Sequence, residues 1–214
     1  MTRSDAPAPD APAPDAALLV LHALRCAGAV GVARLRAITG LDAADAESEL
    51  IDLGVDGLVV RLPGEPPVWC LTDAGRAADA GRIAGELESA RARGRVTAAY
   101  ERFMVLNPEL LELCTAWQLR SVDGVTGVND HADPGYDARV LSRFADLDGR
   151  AAAVGAELSA ALPRFGRYRV RLAEALTRAA SGEPAYVADH TASYHVVWAE
   201  LHEDLLATLG LERW

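Results

Sequence analysis

The densest set of chemically versatile side chains lies near the carboxyl end of the chain. At about 100° per residue, four of them fall within or beside the apolar arc of one predicted helix: Tyr194, His195, Trp198 and His202. Two histidines and a tryptophan that point into a helical bundle can line a small-molecule pocket. A metal site is disfavoured because His195 and His202 are seven residues apart, whereas ligating pairs on one helix sit three or four apart. The alternative to a ligand pocket is that His195 and His202 only stabilise the fold.

A second polar group occupies residues 121–135, which show no helical or strand period. A polar loop of this length inside a compact domain is uncommon unless it has a function. Asn129, Asp130 and His131 in this loop can supply polar partners to a ligand bound by the last helix. With Trp117 on the preceding helix, they complete our set of candidate ligand-binding residues. The same loop is also consistent with a solvated connection.

Motifs typical of enzymes are absent from the sequence. It contains no G-x-S-x-G and no Gly-rich phosphate loop with a lysine, and the string at 201–204 lacks the second histidine of H-E-x-x-H. An acid–base pair of His131 or His195 with Asp130 has no positioned nucleophile. We therefore predict a protein that is not an enzyme and needs neither cofactor nor metal. An enzyme that uses the histidine-lined bundle is the least favoured of our three functional hypotheses.

The composition is that of an acidic, helix-forming chain. Half of the 214 residues are apolar, the net charge is −10, and every basic side chain other than histidine is arginine. Three cysteines without C-x-x-C spacing predict buried, reduced thiols. No apolar run reaches about 20 residues, and the amino terminus lacks the basic start and apolar core of a signal peptide. These features predict a cytoplasmic protein without a membrane span.

Composition and hydrophobic periodicity divide the chain into four segments. Residues 1–15 repeat Asp-Ala-Pro-Ala-Pro twice, which predicts a disordered tail. Residues 16–76 form a first domain, 77–106 a long connecting helix, and 107–214 a helical bundle. Asn107 and Pro108 predict a new helix start at the head of the bundle, as an N-cap followed by a first-turn proline.

Within residues 16–76, three helices precede a two-stranded hairpin. The first two helices are predicted at 16–27 and 32–39, and His22 in the first is interpreted as a core-edge residue with a backbone partner. The third carries an apolar stripe at helical period: Ala43, Ala46, Leu50 and Leu53. Two β-prone runs, 58–60 and 68–71, flank a loop rich in proline and glycine.

This arrangement, closing on the string Leu71-Thr72-Asp73-Ala74-Gly75-Arg76, resembles the winged-helix domain of MarR-type bacterial transcriptional regulators. The resemblance covers about residues 16–76. It implies a mainly α protein with an N-terminal winged helix-turn-helix, followed by a C-terminal helical bundle that senses a small-molecule effector or forms a homodimer. The implied function is a DNA-binding transcriptional regulator, for which the candidate phosphate contacts are Arg34, Arg36, Arg61 and Arg76.

The charge of the third helix favours a different partner. Carboxylates recur at helical spacing on its predicted outward side, with Glu47 beside them and no arginine: Asp42, Asp45, Glu49, Asp52 and Asp56. Phosphates would repel this face, because affinity for DNA comes largely from cations that displace counterions. The stripe is a solvated face, an acidic surface for a basic protein, or an unusual DNA-reading helix. The alternative function is therefore a winged-helix protein-interaction module whose acidic helix docks on a basic partner.

Overall fold

The computed structural model describes residues 15–122 and 124–212, so the predicted tail lies, apart from Asp15, outside the described residues. The fold is mainly helical, with two small two-stranded antiparallel sheets. The α-helices are α1 (Ala16–Ala27), α2 (Val32–Thr39), α3 (Ala43–Val55), α4 (Asp73–Ser89), α5 (Arg93–Gln118), α6 (Pro134–Ala161), α7 (Gly166–Ala180), α8 (Ala185–Ala188) and α9 (Tyr194–Leu209). The strands are β1 (Val59–Leu62), β2 (Val68–Leu71), β3 (Leu119–Val122) and β4 (Val125–Val128), and a 3-10 turn spans Pro163–Phe165.

The first three helices and the β1–β2 hairpin enclose a small core of their own. Asp15 caps α1 by accepting a hydrogen bond from the Leu18 amide (3.2 Å). The hairpin predicted from the two β-prone runs is confirmed, and Val59 pairs with Leu71 in its antiparallel register. The buried apolar side chains of this core are Val20, Leu21, Ala23, Leu24, Val30, Leu35, Ile38, Leu50, Leu53, Val59 and Leu71.

The string at 71–76 has a clear structural role at the start of α4. Thr72 caps this helix by accepting from the Gly75 amide (3.0 Å), and its hydroxyl donates to the Gly57 carbonyl (2.8 Å). A Cβ atom on Gly75 would lie only 1.9 Å from the Leu58 carbonyl oxygen. Any larger residue at this position would therefore push the helix away from the hairpin.

The single connecting helix predicted over 77–106 is wrong, because the chain breaks between α4 and α5. Arg91 adopts a left-handed backbone conformation with φ of 46°. The Ala92 amide donates a hydrogen bond to the Leu87 carbonyl, and the Arg91 amide donates one to the Glu88 carbonyl (both 3.0 Å). This is the hydrogen-bond pattern of a Schellman C-cap. Such a cap usually has glycine at the position that Arg91 occupies here, so the sequence carries no signal of the helix end.

The predicted restart at Asn107 and Pro108 is also wrong, since α5 runs through both residues. Proline removes one helical donor, but Leu106 and Leu110 on either side of it are buried in the bundle core. Tertiary packing therefore holds the helix together across the proline.

The loop predicted over 121–135 contains a second hairpin instead. Strands β3 and β4 pair antiparallel, with Leu119 opposite Val128, and Gly124 takes a left-handed conformation (φ 79°) at the turn. The sequence signal is the Asp-Gly pair at 123–124 between two runs containing valine, which is a strong hairpin signal.

The last helix begins at Tyr194, because Ser193 caps it by accepting from the Val196 amide (3.3 Å). Helices α5, α6, α7 and α9 enclose the larger core. Helices α1 and α4 pack against α9 and so attach the N-terminal part of the chain to the bundle.

Candidate functional site

The exposed side of α3 is apolar along its centre and acidic along one flank. Ala46, Leu50 and Leu53 are buried, so the opposite side of the helix faces solvent. At about 100° per residue, Ile51 and Val55 lie near the centre of that side, where they are 59% and 83% exposed. The carboxylates lie together on one flank at Asp42, Asp45, Glu49, Asp52 and Asp56. We call Ile51, Val55 and this flank the α3 surface.

The α3 surface carries a concentrated negative charge. Partial burial, together with the carboxylates of Asp52 and Asp15, raises the pKa of Glu49 above its usual value, although Arg82 opposes this. Glu49 is half-buried and not fully outward as predicted. Asp42 accepts from the Asp45 amide (2.8 Å) as the N-cap of α3, so part of the charge also stabilises the start of the helix.

A groove of about 390 Å³ runs between α3 and the β1–β2 hairpin. Ile51 lines its helix side, and Pro67 and Trp69 line its hairpin side. The Trp69 ring passes close to the α3 backbone, where a Cβ atom on Gly54 would lie 3.6 Å from it. The remaining lining residues are Val32, Glu47, Leu50 and Arg61. The groove is thus mostly apolar, with one charge of each sign.

The four arginines predicted to contact phosphates lie in different environments. Arg34 forms a partly buried ion pair with Glu200 of α9 (2.5 Å), so a phosphate contact would require this pair to open. Arg76 pairs with an exposed aspartate three residues earlier (2.8 Å). Arg36 and Arg61 are exposed, and Arg61 lies beside the α3 groove.

Of the four ligand-binding residues predicted in and before the polar loop, three lie in one cluster: Trp117, Asn129 and His131. Asn129 is buried and donates to the Trp117 carbonyl and to Asp137 (both 3.0 Å). His131 Nδ1 lies 2.9 Å from Asp137 Oδ2, and its ring packs 4.7 Å from the Trp117 ring. Asp130 is exposed and accepts from a backbone amide two residues on (3.1 Å). These bonds satisfy Asn129 and His131 within the fold.

Two of the four candidate residues of α9, Tyr194 and Trp198, point into the bundle. The Tyr194 hydroxyl donates to Asp148 (3.1 Å). Trp198 Nε1 donates to Asn107 Oδ1 (3.0 Å), and its ring stacks on Phe103 with centroids 4.6 Å apart. Both side chains are fully buried, so they hold the bundle together.

The two histidines of α9 are only half-buried. The His202 ring lies 5.5 Å from the Phe103 ring and stacks 6.3 Å from the Tyr100 ring. The cavity that Trp198 lines has a volume of about 20 Å³, which holds about one water molecule and not a metabolite. The ligand-binding residues predicted on α9 and those predicted around Asn129 thus contact different residues of the fold.

A buried polar cluster joins the N-terminal helices to the bundle. His22 Nδ1 lies 3.1 Å from Asp79 of α4, and His22 Nε2 lies 3.0 Å from Asp204 of α9. The predicted backbone partner of His22 is therefore wrong, because both ring nitrogens face carboxylates. Arg164 donates to both oxygens of Asp204 (2.5 and 2.6 Å) and to Glu86 (2.7 Å).

Opposite charges determine the protonation of this cluster. Burial alone raises the pKa of Asp204, but Arg164 and His22 outweigh it, so the pKa of Asp204 falls below its usual range. Burial alone lowers the pKa of His22, but the charge of Asp204, the charge of Cys26 and the hydrogen bonds to Asp204 and Asp79 together outweigh it, so the pKa of His22 rises well above its ordinary value. Tyr168 donates to the other side of Asp204 (3.0 Å).

Cys26 completes the cluster, with its Sγ 3.6 Å from His22 Nε2. Burial raises the pKa of this thiol despite the opposing charge of His22, and His22 Nε2 already faces Asp204. The geometry therefore does not activate Cys26 as a nucleophile. The sequence holds one signal of this cluster, the four-residue spacing of His22 and Cys26 on one helix face. The distant Asp79, Arg164 and Asp204 give none.

Comparison with protein-family models, with curated proteins and with solved structures found no match for this chain. In the part of the chain that the structure describes, no helix is long and apolar enough to cross a membrane.

Proposed function

We propose that residues 16–76 form a winged-helix module that binds a basic, amphipathic segment of a partner protein. The docking surface is the α3 surface together with the groove beside the hairpin. The exposure of Ile51 and Val55 at the centre of this surface carries the proposal. Exposed apolar side chains bordered by polar ones are typical of protein-interaction sites.

Charge determines the kind of partner. In residues 42–56 the chain has six carboxylates and no lysine or arginine. Such a surface attracts basic proteins and slows the approach of polyanions.

The spacing of the exposed apolar residues favours a helical partner. Ile51 and Val55 are four residues apart and present a short apolar ridge, and Trp69 closes one side of the adjoining groove. An amphipathic helix that docks in this way inserts apolar residues at i, i+3 or i+4. Its basic side chains then face the acidic flank of α3.

A synthetic helical peptide with leucine on one face and lysine on the other tests the proposal. In a fluorescence-anisotropy titration of the labelled peptide, we expect saturable binding that weakens with salt. Burying one aliphatic side chain contributes about 1.5–3 kcal/mol, so Ile51→Asp or Val55→Asp should weaken binding by at least about tenfold. Val170→Asp, at an exposed valine of α7, is the matched control. Equal affinity of all three variants would rule out the α3 surface as the docking site.

The second candidate is a DNA-binding transcriptional regulator, favoured by the exposed Arg36 of α2 and the exposed Arg61 of the hairpin. On this hypothesis, duplex DNA binds at low salt with a steep salt dependence. Arg36→Glu and Arg61→Glu then abolish the shift of a labelled duplex. If the wild-type chain binds no duplex at low salt, this candidate is excluded.

A further inference from the structure

Three side chains with metal-binding atoms meet where α1 contacts α9. His22 Nε2, Cys26 Sγ and a carboxylate oxygen of Asp204 all lie within 4.8 Å of one another. His22 and Cys26 are four residues apart on α1, so they project from the same face of the helix. Asp204 reaches them from α9.

We propose that His22, Cys26 and Asp204 bind a divalent zinc-type ion through one nitrogen, one sulfur and one oxygen. Bond lengths of about 2.0–2.3 Å in a tetrahedral site separate the nitrogen and sulfur ligands by about 3.5 Å, and the nitrogen and oxygen ligands by about 3.4 Å. The structure has 3.6 Å between Cys26 Sγ and His22 Nε2, and 3.0 Å between His22 Nε2 and Asp204 Oδ1. Shifts of a few tenths of an ångström bring these two pairs to the required separations. Cys26 Sγ and the Asp204 oxygen lie within 4.8 Å of each other and must approach to about 3.5 Å. A thiolate ligand excludes magnesium and calcium.

Neighbouring side chains already orient the ligands. Asp79 is buried and lies 3.1 and 3.3 Å from His22 Nδ1, which turns Nε2 towards the site. A carboxylate on the far nitrogen of a ligating histidine is a recurrent feature of zinc sites. Asp204 is held by Arg164 and Tyr168, so its oxygens also have a fixed direction.

The charge of the cluster is compatible with a dication. Two buried carboxylates, Asp79 and Asp204, face the two ring nitrogens of His22. A zinc-type ion binds histidine in its neutral form and cysteine as a thiolate, so its binding releases protons to solvent.

The fourth ligand position has room for water. A cavity of about 30 Å³ adjoins the cluster and is lined by His22, Asp204, Arg164 and Tyr168, among others. This volume holds one or two water molecules and excludes a metabolite-sized molecule. The site therefore has three protein ligands and space for one water, whereas structural zinc sites use four protein ligands. The small cavity admits no substrate beside the ion, and the ion would connect α1 to α9.

Cobalt(II) tests the proposal on the full chain after treatment with a chelator. We expect one equivalent to bind with a cobalt–thiolate charge-transfer absorption, which zinc then abolishes. The band should be present in the control Cys70→Ser and absent in Cys26→Ser, and Asp79→Asn should weaken binding by about 10–100-fold. No cobalt binding, or an unchanged band in Cys26→Ser, would overturn the site.

Alkylation of the wild-type chain gives a second measurement that does not depend on how the variants fold. Cys26 and Cys70 are both partly buried free thiols, and Cys70 lies in strand β2. Zinc should slow the labelling of Cys26, measured by peptide mass spectrometry, and leave the labelling of Cys70 unchanged. Equal labelling of Cys26 with and without zinc would contradict the proposal.

Discussion

Asp204 is the residue on which the attachment of the N-terminal helices to the bundle most depends. Its oxygens accept hydrogen bonds from Arg164 (2.5 and 2.6 Å) and Tyr168 (3.0 Å), and one lies 3.0 Å from His22 Nε2. Asp204→Asn preserves the shape of the side chain but removes its charge. It also turns one acceptor into a donor that faces other donors.

The expected cost follows from burial. The side chain of Asp204 is only 2% exposed, and removal of one partner from a buried ion pair costs about 3–5 kcal/mol. Arg164 keeps its bond to Glu86 (2.7 Å), and His22 keeps Asp79 (3.1 Å). We therefore expect Asp204→Asn to lower the free energy of unfolding by about 3 kcal/mol, at the lower end of that range.

Urea unfolding followed by circular dichroism, with a chelator present, measures this loss. Asp73→Asn is the matched control, because Asp73 bonds Arg76 at 2.8 Å but its side chain is 98% exposed. The control should change stability by less than about 0.5 kcal/mol. If the two variants differ by less than about 1 kcal/mol, the cluster does not stabilise the fold as argued.

The remaining predictions concern charge, hydrogen bonding and assembly. The raised pKa of Glu49 means that its ionised form disfavours folding above that pKa. Glu49→Gln should therefore stabilise the chain by about 0.2–0.5 kcal/mol at neutral pH. In thermal unfolding at a series of pH values, this gain should vanish below the ordinary pKa of glutamate, and equal melting temperatures at neutral pH would contradict it. Trp198→Phe loses the bond to Asn107, whereas the Trp117 indole N–H has no hydrogen-bond partner among the described residues. Urea unfolding should therefore show Trp198→Phe to be about 1 kcal/mol more costly than Trp117→Phe, and the reverse order would refute this reasoning. The resemblance to MarR-type regulators also predicts a homodimer, and a monomer at all concentrations in sedimentation equilibrium would rule it out.

Local patterns predicted the N-terminal elements well. The predicted bounds of α1 and α2 match the structure, and the prolines between 61 and 67 locate the hairpin loop. The break at Arg91 was missed because an arginine occupies a backbone conformation that sequence rules assign to glycine. The continuity of α5 through Pro108 was missed because distant packing decides it.

The candidate site was only partly predictable for the same physical reason. The acidic flank of α3 follows from helical spacing, but the exposure of Ile51 and Val55 depends on which side of α3 is buried. The pair His22 and Cys26 lies in one helix and has a visible spacing. Asp204 comes from almost the other end of the chain, and no local pattern connects it to α1.

The most direct test of the proposed function is a nuclear magnetic resonance titration of the isotopically labelled chain with the leucine–lysine peptide. We predict that the largest amide shifts fall at Ile51, Val55 and the Trp69 side of the groove, while the amides of α6 and α7 stay in place. Shifts spread over the bundle, or larger shifts at α3 and the hairpin with duplex DNA than with the peptide, would contradict a protein-binding role for this surface.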